Sequence, residues 1–301
     1  MKKWFLPVLI GIILLISGCS SQSTEKKESS NQTITYQSEN GAVKVPAHPK
    51  RVVVLASLAG NVMSLNVPIV GVDAWSKDNP KFKDKLKNAE VVSDENLEKI
   101  IDLNPDLIIG LSNTKNIDKL KKIAPTVTYT YGKVDYLQQH IEIGKLLNKE
   151  KEAVDWVNDF KKRAEADGKE IKAKIGDKAT ISVVESFEKQ LYVFGSNWGR
   201  GTEVLYQAMK LPMPEKVKEK ALKAGYYAIS PEVLPEYAGD YLVLSKNADS
   251  KASFEETNTF KNSPAVKNKH LIVVNSKEFY FNDPITLDYQ LETLKKGLLG
   301  N

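Results

Sequence analysis

Three observations on this 301-residue chain predict an α/β fold of two lobes, each a mostly parallel sheet covered by helices, joined by one long α-helix. Short continuous apolar runs recur with helical patterns between several of them, which is how strands buried on both faces of a parallel sheet read. The same grammar stands on both sides of the middle of the chain. The middle itself, Lys149 to Ile175, places Ala153, Trp156, Val157, Phe160, Ala164, Ile171 and Ile175 at mostly three- and four-residue steps among Lys, Glu and Asp. That period is an amphipathic helix, and at 1.5 Å per residue it spans roughly 40 Å, the width of a small domain. Gly168 is its one weak point, expected to cost about 1 kcal/mol relative to Ala. Periodicity alone also fits an ordinary surface helix.

The elements follow in order. Lys2 and Lys3 precede the apolar run Trp4–Ile16, too short to span a bilayer but suited to a secretory signal, and small residues follow. The stretch Ile16-Ser17-Gly18-Cys19 resembles the lipobox of bacterial lipoproteins, so residues 1–18 are read as a signal peptide and Cys19 as the lipidated residue. A diacylated (palmitate-type) anchor holds stably where one chain does not. Cys19 is also the single cysteine, which excludes an internal disulfide, a zinc–thiolate site and an iron–sulfur cluster. Residues 19–32 are polar and read as a disordered tether. Loss of Lys2 and Lys3 lowers the formal charge from +5 to +3, which gives no case for nucleic acid.

The N-terminal lobe, residues 33–148, opens with strand-like runs at Thr33–Tyr36 and Ala42–Val45. Arg51–Leu55, Ile69–Val72, Leu107–Ile109 and Thr126–Tyr131 follow as strands, and Asn96–Leu103 as a helix stopped by Asn104-Pro105. After the connecting helix, 149–175, the C-terminal lobe, 176–301, has strands at Thr180–Val184, Leu191–Phe194, Asp240–Leu244 and Leu271–Val274. Helices are expected near Thr202–Met209, Pro231–Leu234 and Thr286–Leu298, with Ser230 capping and Pro231 at the first position of the second. Glu98 precedes the strand start Asp106 by eight residues, and Glu232 precedes Asp240 by eight. The equal spacing suggests two pseudo-symmetric lobes that show a glutamate at equivalent surface positions.

The most unusual local sequence is Leu191–Gly201, in which a strand enters a loop with three glycines that presents Trp198 and Arg200, one of only three arginines. Glycines let a loop tip hold a large aromatic and a guanidinium together, which points to a ligand site. It is not a phosphate loop, since Arg200 stands where Gly would be needed, and no nucleophile elbow is present. His48, His140 and His270 are scattered, without metal-ligand spacing. Aromatics gather where strands end, at Tyr129 and Tyr131, Tyr192 and Phe194, Tyr226 and Tyr227, and Phe279-Tyr280-Phe281. Ligands of open α/β sheets bind beyond the carboxyl ends of strands, where Tyr131 falls. Strand alternation lets only part of each cluster line a cleft.

The lipobox, the long helix, "APTVTYTY" at 124–131, "QLYVFGSNWGRGTEVLYQA" at 190–208, "EYAGDYLV" at 236–243 and "FYFNDPITLDY" at 279–289 carry a resemblance. Together they are similar to the ferric-hydroxamate-binding lipoproteins of iron–siderophore ABC importers, over the chain from about residue 33. The resemblance implies a non-enzymatic receptor tethered at the extracytoplasmic face of the membrane, whose partners are a ferric siderophore and an ABC permease dimer with its ATPase. It implies Tyr131, Tyr192, Trp198 and Arg200 as pocket residues, and Glu98 with Glu232 as the permease-docking pair. Tyr226, Phe279 and Tyr280 complete the expected aromatic wall, with Tyr280 where similar chains carry Trp. No cofactor and no protein metal ligand are expected, because three hydroxamates satisfy the iron and offset its charge. Aromatic walls suit such a complex and the Arg fork suits its oxygens. Truncating Arg200 is expected to weaken binding and leave folding unaffected. A stiff connecting helix implies little lobe closure. The alternatives are a haem, corrinoid or other-siderophore receptor of the same fold, and an exported enzyme, for which no acid–base or nucleophile set is visible.

Overall fold

The structure is a computed structural model, which describes residues 32–187, 190–247 and 253–300 together with Met1. Cys19, the signal segment and the tether up to residue 31 lie outside the described residues. No described helix is long and apolar enough to cross a membrane.

Twelve strands are present among the described residues: β1 Thr33–Ser38, β2 Gly41–Pro46, β3 Val52–Val54, β4 Ile69–Val72, β5 Glu90–Val91, β6 Leu107–Leu111, β7 Thr126–Tyr129, β8 Ile181–Phe187, β9 Gln190–Phe194, β10 Tyr226–Ile229, β11 Tyr241–Lys246 and β12 Leu271–Asn275. β1 and β2 form an antiparallel hairpin that turns Tyr36 and Val45 into the core of the N-terminal lobe. That lobe carries a five-stranded, all-parallel sheet in the order β5-β4-β3-β6-β7. Its centre, Val52–Val54 with Leu107–Ile109, is fully buried, as continuous apolar runs require. The C-terminal lobe repeats the order as β10-β9-β8-β11-β12. There β8, β11 and β12 are parallel, while β9 runs antiparallel to both β8 and β10.

The long helix spans Glu150–Ile175. Ala153 packs in the core of the N-terminal lobe, and Val157, Phe160, Ala164 and Ile171 pack in that of the C-terminal lobe, so one stripe serves both. Gly168 is a point of close approach rather than a weakness. A Cβ there would stand 2.3 Å from the Met209 carbonyl oxygen, and only hydrogen lets the two backbones meet.

A second tie joins the lobes. Phe281 leaves the C-terminal lobe and inserts into the N-terminal core, stacked on Phe82 at 5.7 Å with Tyr280 and Ile285 beside it. Asp283 then caps the C-terminal helix Pro284–Leu299, accepting from the amides of Ile285 and Thr286 and from the Thr286 hydroxyl. This cap lies against the helix Ala59–Ser64 so tightly that a Cβ on Gly60 would fall 2.0 Å from the Asp283 carboxylate. Burial pushes the Asp283 carboxyl up to about 6.

The eight-residue correspondence has a physical counterpart. Asp106 accepts the amides of Lys50 and Arg51 at the entry to β3, and Asp240 accepts the amide and hydroxyl of Thr180 at the entry to β8. Each aspartate thus ties the start of one parallel strand to its neighbour. Glu98 stands exposed in the first turn of the helix Leu97–Asp102, and Glu232 exposed in the first turn of the 3-10 helix Pro231–Val233. Ser230 lies before that turn in extended conformation without a capping bond, so Pro231 alone sets the helix start.

Candidate ligand-binding site

Strand register builds the wall of the site. In the antiparallel flank Glu185 pairs with Tyr192, Phe187 with Gln190, and Phe194 with Tyr226. Side chains alternate along a strand, so Glu185, Phe187, Tyr192, Phe194 and Tyr226 share one sheet face, the face on which Val183 enters the core. Trp198 covers this face from the glycine loop, its ring 5.4 Å from Tyr226. Trp75 approaches from the N-terminal lobe, 5.1 Å from Tyr280 and 6.4 Å from Phe187. These residues and Arg200 enclose a cavity of about 230 Å³.

The loop after β9 is held by its own backbone. Gly199, Arg200 and Gly201 all have positive φ, at 68°, 58° and 85°. A Cβ on Gly199 would lie 2.1 Å from the Tyr280 carbonyl oxygen, so this position admits only glycine. The Arg200 amide donates to the Phe279 carbonyl at 2.7 Å, and the Thr202 hydroxyl donates to that of Gly199. Buried Glu203 accepts from the Gly199 amide and the Asn282 amide group and lies 2.9 Å from the Thr202 hydroxyl oxygen, while desolvation pushes its carboxyl up. Glu203 opens a π-helix, Glu203–Ala208, where an α-helix was expected. Wide turns of this type recur at functional sites.

Arg200 does not project a free charge. Its Nε donates to both carboxylate oxygens of Glu185 at 3.2 Å, its Nη2 donates to Oε1 at 2.9 Å, and its Nη1 donates to the Trp198 carbonyl. Its guanidinium sits 4.9 Å from the ring centres of Phe194 and Tyr280. Removing Arg200 would leave Glu185 buried and unpaired, so the expectation that folding ignores this residue is corrected.

Of the expected site residues, Tyr192, Trp198, Arg200, Tyr226 and Tyr280 are brought together here. Tyr131 reaches across from the other lobe, its hydroxyl donating to the Asn197 carbonyl at 3.2 Å and its ring edge-on to Trp198 at 5.5 Å. Beyond this bridge a further interlobe cavity of about 400 Å³ is lined by Tyr131, Tyr136, Gln139, Asn197 and Gln207. Phe279 is a correction: its side chain is 0% exposed in the C-terminal core, and only its carbonyl serves the loop. The site as a whole stands on a sheet face rather than beyond strand ends. Glu98 and Glu232 line neither cavity.

Sequence reasoning missed Trp75, Phe187 and Glu185. Trp75, 54% exposed, follows β4 in a turn capped by Asp73, and a lone Trp just past an apolar strand was its signal. The signal for Glu185 was a carboxylate directly after the strand run Ile181–Val184. Among the described residues no group of three or more His, Cys, Asp or Glu is placed to hold a metal ion.

The family model described as periplasmic binding protein matches residues 52–278. The chain is a member of the periplasmic binding protein family. It is similar to the iron(3+)-hydroxamate-binding protein FhuD of Bacillus subtilis, with 39% identity over 95% of this chain and 94% of that protein. Among solved structures it is similar to FhuD2 of Staphylococcus aureus with bound ferrioxamine B, with a TM-score of 0.80, 39% identity and coverage of 84% and 99%. It is likewise similar to a B. subtilis periplasmic binding protein component of a Fep/Fec-like ferrichrome ABC transporter, with a TM-score of 0.80, 38% identity and coverage of 88% and 100%.

Proposed function

We propose that this protein is the substrate-binding component of an ABC importer, that it captures ferric hydroxamate siderophores of the ferrioxamine and ferrichrome type, and that it performs no catalysis itself. The observation that carries this reading is the cavity walled by Trp75, Phe187, Tyr192, Phe194, Trp198 and Tyr226 around one guanidinium already paired with a carboxylate. A ferric trihydroxamate has apolar flanks, oxygens on one side and no net charge at its centre. Ring faces suit its flanks, and the N–H groups of Arg200 suit its oxygens. The relatives named for hydroxamate binding and the one solved with ferrioxamine B support the same ligand class.

Glu98 and Glu232 are assigned to the permease. They are exposed, lie outside the cavities, and open the turns that lead to Asp106 and Asp240, so a two-subunit membrane partner meets one from each lobe. Cys19 is assigned to a lipid anchor at the outer face of the cell membrane, on the strength of its place after the apolar leader. Titration tests the ligand class. Trp75 and Trp198 line the site, so ferrioxamine B and ferrichrome should quench tryptophan fluorescence saturably, and haem and ferric enterobactin should not. Saturable binding of haem without any response to either hydroxamate would reject the reading.

A further inference from the structure

Among the described residues that line the aromatic cavity, two are charged, Glu185 and Arg200, and they belong to one buried unit. Side-chain exposure is 2% for Glu185 and 17% for Arg200. The carboxylate accepts the Nε and Nη2 groups of Arg200, and its Oε2 also accepts the Ser245 hydroxyl from β11 at 2.8 Å. Three donors converge on this one carboxylate, two from the guanidinium and one from the serine. In the neighbouring cavity that shares Trp75, Lys277 pairs with Asp78, and the Lys77 ammonium donates to the carbonyls of Leu86 and Ala89.

Positioning alone does not call for Glu185. The loop backbone fixes Arg200 through its amide, Nη1 is held by the Trp198 carbonyl, and two rings flank the guanidinium. An apolar residue would continue the strand face set by Val183 and Phe187. What the carboxylate adds is charge. We infer that Glu185 is a specificity-determining residue: it cancels the charge of Arg200, so that the site offers N–H donors without net charge, accepts uncharged ferric complexes and rejects strongly anionic ones. This rests on the functional reading above. Among the described residues one N–H of Nη1 and one of Nη2 meet no protein acceptor, which leaves them for ligand oxygens. A triscatecholate, with its large negative charge, would leave water for an aromatic wall that holds no net counter-charge.

The test measures a ratio of affinities, that for ferrichrome over that for ferric enterobactin, by tryptophan quenching. It is read in the unmodified protein, in Glu185→Gln and in Glu185→Ala, with thermal unfolding of each. The unmodified protein should favour ferrichrome by about a hundredfold or more, and both variants should narrow the ratio at least about tenfold as Arg200 becomes an uncompensated cation. A role in packing or in holding Arg200 would weaken both ligands together and leave the ratio unchanged; that result, with ferrichrome still bound, overturns this inference alone. Should neither variant fold, the unmodified protein decides, since a ratio near one also overturns it. Failure of the unmodified protein to bind any hydroxamate overturns the functional reading and this inference with it.

Discussion

The two sheets share one strand order and differ in the direction of one strand, β9, which is reversed relative to its counterpart β4. In the N-terminal lobe the chain passes from β3 to β4 through the helix Ala59–Ser64 and returns parallel. In the C-terminal lobe the chain goes from Phe187 to Gln190 and returns antiparallel as β9, with the helical turn postponed until after the glycine loop. The wall of the cavity stands around this reversed strand, and the common parallel part carries the matching pairs Asp106 with Asp240 and Glu98 with Glu232. The features proposed to face a two-subunit partner follow the symmetry, and those proposed to face one asymmetric ligand sit where the symmetry is broken.

Substitutions in each lobe test this asymmetry. The largest effect is expected from Glu98→Lys with Glu232→Lys: siderophore binding in vitro unchanged, and uptake by cells lost at normal surface abundance, with smaller losses for each single change. Normal uptake would remove the partner-facing half of the comparison. Phe281→Ala should destabilise the protein by about 3–5 kcal/mol in denaturant unfolding, because it empties a stacked position in the core of the other lobe.

Arg200→Ala should weaken ferric hydroxamate binding about tenfold or more and lower stability by about 3 kcal/mol, through the carboxylate left behind. Loss of affinity without loss of stability would show Glu185 to be relieved by other means. Asp283 gives a pH signature at the joint of the lobes. Its carboxyl is raised to about 6 from 3.8, so the native state keeps the proton between roughly pH 4 and 6, and stability falls as pH rises through that window. Relative to Asp283→Asn, the unmodified protein should gain up to about 2–3 kcal/mol as pH falls from 7 to 4. The smallest effects should be equal ones. Asp106→Ala and Asp240→Ala should each cost about 1–2 kcal/mol, and a disparity larger than that would deny that they are counterparts.

Strand positions were legible because burial on both faces leaves continuous apolar runs, and every strand expected from Thr33 to Val274 is found within a few residues. The reversal of β9 was not legible. A run such as Gln190-Leu191-Tyr192-Val193-Phe194 reads alike in either direction, and only its pairing tells which side chains join Glu185. The segment Phe279-Tyr280-Phe281 shows the same limit at finer grain. Three consecutive aromatics go to three places, the C-terminal core, the Arg200 guanidinium and the N-terminal core, and no period of strand or helix distributes them so. Trp198 and Arg200 were legible because the glycines around them have no structural use other than an unusual backbone. The partnership of Arg200 with Glu185 spans fifteen residues and a strand register, so composition carried no trace of it.

The insertion of Phe281 also sets an order of events. The N-terminal lobe draws most of its core from residues 36 to 153, yet that core is closed by a side chain at position 281, after the last strand of the other sheet. A chain that emerges from its amino end therefore cannot finish its first lobe before nearly all of its length is available. The early lobe must wait, with its Phe82 face open, for the late one. Until position 281 arrives, a half-made first lobe has no side chain with which to close its own core.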